Sequence, residues 1–250
     1  MSENHHGYLR LLVDSYYDVQ SVRIETVNRI AAGGRRGVAE ELVTRLMDWV
    51  NERMLVQEKE LLTMVRRELR KDPLWVAWLT GVKGVGPCLA GGFISRINPA
   101  DFETVSKVWR YCGMDVRDDG QAPRRTRGEK ADWNPYLRTH CWKLGKSFVM
   151  VGAGYRDLYE QEKRRLQELH PAPIPYDPPR MKKHRDGEEP AQALLKFSPG
   201  HLDAMARRKV VKIFLSHYWQ RGRELQGLPI RLPYCIEVLG HSTVVPVVEK

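Results

Sequence analysis

Between residues 8 and 31 apolar side chains recur at steps of three and four, with a single step of five. They are Leu9, Leu12, Tyr16, Val19, Ile24, Val27 and Ile30, with charged residues between them. That period belongs to an amphipathic helix. The run Ala32-Gly33-Gly34-Arg35-Arg36-Gly37 interrupts it. A second apolar series, Leu42, Leu46, Val50, Met54, Leu61, Val65 and Leu69, then continues until Asp72-Pro73 stops the helix. Two long helices joined by a short loop predict an antiparallel helical hairpin over residues 1–72. Its apolar stripe is covered either by the rest of the chain or by a second copy, in which case the hairpin is a dimer arm.

The following segment, 73–97, changes character. Leu79-Thr80-Gly81-Val82-Lys83-Gly84-Val85-Gly86-Pro87-Cys88-Leu89-Ala90 joins a glycine-rich turn to the start of an apolar helix, the pattern of a helix-hairpin-helix with Trp75 and Trp78 on its first helix. Gly84 and Gly86 permit positive φ and close backbone approach, Val85 plugs the small core, and Pro87 suits the first helical position. Such a hairpin turns free N–H groups outward beside the positive end of a helix dipole, a site for one phosphate. A plain turn between two core helices has the same glycine content. Lys83 inside the loop favours the phosphate reading.

Beyond the hairpin, Asn98-Pro99-Ala100-Asp101-Phe102 reads as a capped turn, and a helix follows through Thr104–Cys112 to Gly113. Residues 114–130 are polar and basic and predict a hairpin or loop. Asn134-Pro135 opens another helix, and a further one spans Tyr155 to Leu169. The stretch 170–200, crowded with proline and charge, reads as a long loop. A strong helix from His201 to Leu225 precedes an extended tail, 228–250, with some strand character. The fold class expected is mainly α, with the hairpin at 1–72, a nucleic-acid-binding domain at 73–227, and the tail.

Composition sharpens this picture. Lys and Arg number 41 against 31 Asp and Glu, a net charge of +10, which is the electrostatic footprint of a nucleic-acid binder. No apolar run reaches the ~20 residues that span a bilayer. The start Met1-Ser2-Glu3-Asn4-His5-His6 lacks a signal-peptide pattern, so a cytoplasmic location is expected. Cys88, Cys112, Cys141 and Cys235 never form C-x-x-C and read as reduced, mostly buried thiols. No metal spacing and no cofactor are implied.

The densest cationic cluster is Arg124, Arg125, Arg127 and Lys130, near Trp133 and Tyr136. Like charges on a loop repel one another unless something anionic binds them. Arg138, Lys143 and Lys146 continue along one helix beside Trp142, and Lys107, Arg110 and Arg117 precede the cluster. Arg207, Arg208, Lys209 and Lys212 are interleaved with the core positions of the last helix. Arginine suits phosphate forks and base stacking, and aromatics stack on unpaired bases. Trp109, Trp142 and Trp219 are expected to fill the core rather than touch bases.

Several of these motifs in order resemble a known domain. Gly84-Val85-Gly86-Pro87, Phe102, Ser106-Lys107, Tyr111-Cys112-Gly113, Arg127-Gly128-Glu129-Lys130 and Leu137-Arg138, followed by the helix with Arg207-Arg208-Lys209, resemble the C-terminal domain of the bridge-RNA-guided insertion-sequence transposases over residues 79 to 225. The same domain is similar to the Nop domain of box C/D ribonucleoproteins, which follows a helical coiled-coil hairpin and grips a folded RNA. Compact Tas proteins that use tandem guide RNAs share the layout. The resemblance implies a Nop-like domain and a structured guide RNA.

The departures bear on catalysis. Where the recombinases carry a serine nucleophile, this chain has Asp119-Gly120 and no serine between Ser106 and Ser147. A carboxylate does not replace that serine without another mechanism. The acidic nuclease-like domain of the family is also missing from residues 1–72. The expectation is therefore a homodimeric, nuclease-free protein that holds a structured guide RNA and takes part in RNA-guided binding of a DNA target. Lys83, Gly84, Val85 and Gly86 would anchor one backbone. Arg124, Arg125, Arg127, Lys130 and Arg138 would clamp RNA, and Arg207, Arg208, Lys209 and Lys212 would line the groove. The alternatives are a sequence-nonspecific DNA binder using the helix-hairpin-helix alone, and a diverged recombinase with a catalytic partner.

Overall fold

A computed structural model describes residues 3–117, 122–175, 195–231 and 246–248, and the chain is mainly helical. Helix α1 (Glu3–Arg35) is longer than its periodicity suggests, because Gly33 and Gly34 stay helical and the chain turns only at Gly37, with φ +90°. Val38 and Val43 pack back over those two glycines, Cγ2 atoms 3.6 and 3.7 Å from where a Cβ would sit. The return limb is α2 (Glu40–Trp49), a π turn (Val50–Met54) and α3 (Leu55–Leu69), running back along α1.

The apolar stripe of the hairpin divides at that π turn. Leu9, Leu12, Ile30, Val50, Val65 and Leu69 are buried, whereas Ile24, Leu42 and Leu46 are exposed and α2 buries no residue at all. A π turn adds one residue to a helical turn and so rotates the faces on either side of it relative to each other. Two buried carboxylates on α3 set the register with α1. Glu58 accepts from Arg23 Nε (2.6 Å), Gln20 Nε2 (2.8 Å) and the Tyr16 hydroxyl (3.2 Å). Glu68 pairs with His5 Nδ1 at 2.8 Å and Lys71 Nζ at 2.7 Å. Burial works against both charges, but their donors win and hold both carboxyls below the usual range.

Asp72 ends the hairpin and begins the next element. Its carboxylate accepts from Leu74 N (2.9 Å) and Trp75 N (3.0 Å), capping the short α4 (Pro73–Ala77). A 3₁₀ turn (Leu79–Gly81) and the glycine loop lead into α5 (Pro87–Ile94), whose residues 90–94 are all buried. After a second 3₁₀ turn (Pro99–Asp101) come α6 (Val105–Tyr111), α7 (Pro135–Val151), α8 (Tyr155–Leu169) and α9 (Pro199–Leu225). Ile174–Pro175 (β1) and Leu195–Lys196 (β2) form a two-residue antiparallel ladder where only a loop is expected. The intervening 176–194 lie outside the described residues, as do Asp119-Gly120, residues 232–245 of the tail and, with them, Cys235. Cys88, Cys112 and Cys141 are free and buried.

One hydrophobic core unites these helices, and the base of the hairpin contributes to it through Leu9, Leu12, Val13, Val65 and Leu69. α9 supplies Phe214, against which Trp78, Phe93, Phe148 and Tyr155 pack with ring centroids 5.6–5.7 Å away. The tail returns to this core: Trp78 Nε1 donates to Val248 O at 2.9 Å.

His140 of α7 is a deeply buried base that touches both α5 and α1. Its Nε2–H donates to Leu89 O at 2.8 Å, and its ring meets Phe93 edge-on at 4.8 Å and Tyr17 at 6.0 Å. Burial pushes its pKa down to about 4. Between pH 6.5 and 4 the unfolded chain therefore takes up a proton that the folded chain refuses, so stability falls as pH drops through that window, by about 3 kcal/mol from this residue. His140→Gln keeps an N–H for Leu89 but does not titrate. Urea midpoints measured from pH 7 to 4 should fall less steeply for this variant than for the wild type; equal slopes would show that His140 is not the group responsible.

Candidate nucleic-acid interface

The glycine loop is built by α7. Ser147 Oγ donates to Gly84 O at 2.7 Å, and the Phe148 ring fills the space beside Gly84, where a Cβ would lie 2.9 Å from Cδ1. Gly84 has φ +91°, so it meets both demands that only glycine satisfies. Gly86 differs from expectation: its φ is −75°, and nothing lies within 4 Å of its missing Cβ. Five helical starts among the described residues carry proline first. Asp72, Asn98, Asn134 and Ser198 cap four of them with side-chain oxygens, while Gly86 leaves α5 without a side-chain cap. Val85 is buried beneath the loop and Lys83 is exposed on it.

Cations gather around this start. Arg66 of α3 and Lys143 of α7 lie close enough to Cys88 to oppose the effect of burial, which nevertheless pushes the thiol up to about 12 and leaves it inert. Lys143 Nζ sits 3.5 Å over the Tyr17 ring, and burial lowers its pKa.

The basic loop lies at the other end of α7. Arg124, Arg125, Arg127 and Lys130 carry no ion-pair partner among the described residues, and all but the half-buried Thr126 between them stand open to solvent. Arg124, Arg125 and Lys130 line an open cavity of about 360 Å³ together with Arg117, Glu129 and Trp133. Arg110 and Arg117 are held differently. Asp132 takes Arg117 Nη2 at 2.6 Å and Arg110 Nη2 at 3.4 Å, and these guanidinium groups hold its carboxyl below the usual range. Lys107 pairs with Glu103 at 3.0 Å on the exposed face of α6.

The arginines of α7 and α9 turn inward. Arg138 Nη1 donates to Gly113 O (3.2 Å) with its guanidinium 5.1 Å from the Trp133 ring, and Arg208 Nη2 donates to Asp115 O (2.6 Å) and Gly113 O (3.4 Å). Burial is the main cause lowering the pKa of both. These two side chains fasten the 113–115 segment to α7 and α9, a structural duty that helical periodicity does not signal. Arg207 pairs with Asp203 at 2.5 Å, Lys209 approaches Glu162 at 3.9 Å, and Lys212 Nζ lies 4.2 Å over Trp109.

No protein-family model matches this sequence, and no curated protein matches it. Among the described residues no three His, Cys, Asp or Glu side chains gather into a set that could hold a metal ion, and no helix is long and apolar enough to cross a membrane. Of the three tryptophans expected in the core, Trp219 is buried and donates to Phe102 O at 2.7 Å, and Trp109 is half-buried and donates to Lys212 O at 3.0 Å. Trp142 is instead 56% exposed. The reason is angular: α7 turns Leu137, Cys141, Leu144 and Phe148 inward, and Trp142 lies on the opposite side.

The two glycines of the loop separate packing from access. Gly84→Ala should lower stability by about 1 kcal/mol or more through its left-handed φ and the Phe148 contact. Gly86→Ala should leave the melting temperature nearly unchanged. Thermal unfolding of the pair checks this assignment, and equal losses would refute it.

Proposed function

We propose that this chain is a nucleic-acid-binding protein that holds a structured RNA, and that its order of motifs reflects kinship with the Nop-like domains of guide-RNA systems. The observation that carries the reading is the loop with Arg124, Arg125, Arg127 and Lys130. Arg110, Arg117, Lys107 and Arg207 pair with carboxylates, yet these four have no such partner among the described residues, and Arg124, Arg125 and Lys130 line an open cavity edged by Trp133. Phosphates supply the missing negative charge, and the adjoining indole offers a flat face to a base. The uncapped start of α5 with Lys83 adds a backbone contact some distance along α7. A guide function, in which the bound RNA pairs with a DNA target without a nuclease in this chain, rests on the resemblance alone.

The uncapped start of α5 also favours a second reading, sequence-nonspecific binding of duplex DNA through the hairpin. Nucleic acid co-purifying with the protein separates the two: a discrete, RNase-sensitive species supports the first, and random DNA or none supports the second. In binding titrations, alanine at Arg124, Arg125, Arg127 and Lys130 together should weaken RNA binding. The plot of log affinity against log salt should also flatten, by about 0.7–0.9 for each phosphate that the variant no longer neutralises. An unchanged slope would overturn the assignment of this loop.

The partner proposed for the hairpin is a second copy. Leu42, Leu46 and Trp49 are 56%, 47% and 51% exposed and follow one another at steps of four and three, an exposed apolar row along α2. Sedimentation should show a dimer for the wild type and a folded monomer for Leu42→Glu with Trp49→Glu. A wild type that is monomeric at every concentration would rule the seam out.

A further inference from the structure

α7 is the spine that joins the basic loop to the hairpin. At its N-terminal end Arg138 lies over Trp133 of the loop, and at its C-terminal end Ser147 holds Gly84. Its seventeen residues include Arg138, His140, Lys143 and Lys146 and no Asp or Glu. Several cations on other helices pair with carboxylates of the same helix, as in Arg156–Glu160 and Arg165–Glu162 of α8 or Arg29–Glu25 of α1. The lysines of α7 rest on aromatic rings instead, Lys143 on Tyr17 and Lys146 on Trp142, the latter with Nζ 4.4 Å from the ring.

Trp142 occupies the middle of the outward face. Residues four apart on a helix stand in one row, so Lys146 follows Trp142 along it. The indoles of Trp78, Trp109 and Trp219 each donate to a backbone carbonyl, whereas the Trp142 N–H has no acceptor among the described residues. A large, flat, exposed ring beside Lys146, on a helix without a carboxylate, has the chemistry of a stacking platform. A base lays its π face on the indole while the flanking phosphates meet the lysines. Bases within a duplex are already stacked on their neighbours, so the ligand that fits is an unpaired nucleotide.

We propose that Trp142 stacks on an unpaired base of single-stranded RNA, with Lys146 and Lys143 taking the adjoining phosphates. This rests on the RNA-binding reading above and adds to it the strandedness of the segment lying across α7. Because Trp142 is exposed, its truncation leaves the core intact, which circular dichroism melting would verify.

The test measures the anisotropy of a labelled single-stranded RNA oligomer and of a blunt RNA duplex of the same sequence with the wild type, Trp142→Ala, Trp142→Phe and the four-alanine loop variant. The expected result is a loss of about 5- to 100-fold in single-strand affinity for Trp142→Ala, with an unchanged salt slope, unchanged duplex binding and most affinity kept by Trp142→Phe. Wild-type affinity in Trp142→Ala, or equal losses on both probes, overturns the platform while binding by the wild type and its weakening in the loop variant leave the RNA reading standing. A wild type that binds neither probe overturns both. A Trp142-dependent preference for the same oligomer in DNA overturns the assignment to RNA.

Discussion

Helices approach one another so closely at α5 that the placement of every neighbouring element follows from it. A Cβ on Gly91 would come within 2.8 Å of Val13 Cγ2 of α1, and one on Gly92 within 2.3 Å of His140 Nε2 of α7. The two glycines present no side chain on different sides of a helix of only eight residues, and through them the hairpin and α7 are brought against the same short element. Buried apolar contact at this distance excludes water on both sides and fixes the angle between the hairpin and the rest of the chain. The same economy of side chain recurs at Gly222, where a Cβ would lie 2.3 Å from Pro99 Cγ, seating α9 on the second 3₁₀ turn.

Because α5 and α7 are locked together, the surfaces they carry have a fixed relation. α7 reaches the basic loop through Arg138 and the glycine loop through Ser147, so two cationic regions far apart in sequence lie on one rigid helix. The inward arginines belong to this framework. Arg138 and Arg208 converge on the Gly113 carbonyl from α7 and α9, and their charges are tolerated by backbone acceptors and nearby Asp115. Charge therefore serves two ends: one set of cations ties the loop 113–117 to the helices, and another stands open to solvent. Total net charge does not distinguish these uses; geometry does.

Much of the helical layout is legible in the chain, since its signals are local. Asn134-Pro135 starts α7 because an Asx side chain accepts from the Leu137 N–H and proline already has the helical φ; Asp72-Pro73 and Ser198-Pro199 act in the same way. The period of three and four places both limbs of the hairpin. What periodicity misses is the π turn at Val50–Met54, which changes the phase of the stripe and leaves Leu42 and Leu46 in solvent. Composition also makes Gly84 and Gly86 look alike, although only Gly84 of the two has a positive φ.

A mainly helical, basic chain, the points where most of its helices start and stop, and the crowding of cations at 124–130 can all be read from neighbouring residues, because caps, prolines and periodicity act over a few positions. Folding in three dimensions settles the rest: which arginines are consumed by backbone carbonyls, that Trp142 faces outward while Trp219 is buried, and that the hairpin shares its base with the core. The exposure of a side chain depends on which distant helix packs over it, and that is set by contacts such as Val13 against Gly91 and His140 against Gly92, which no local pattern encodes.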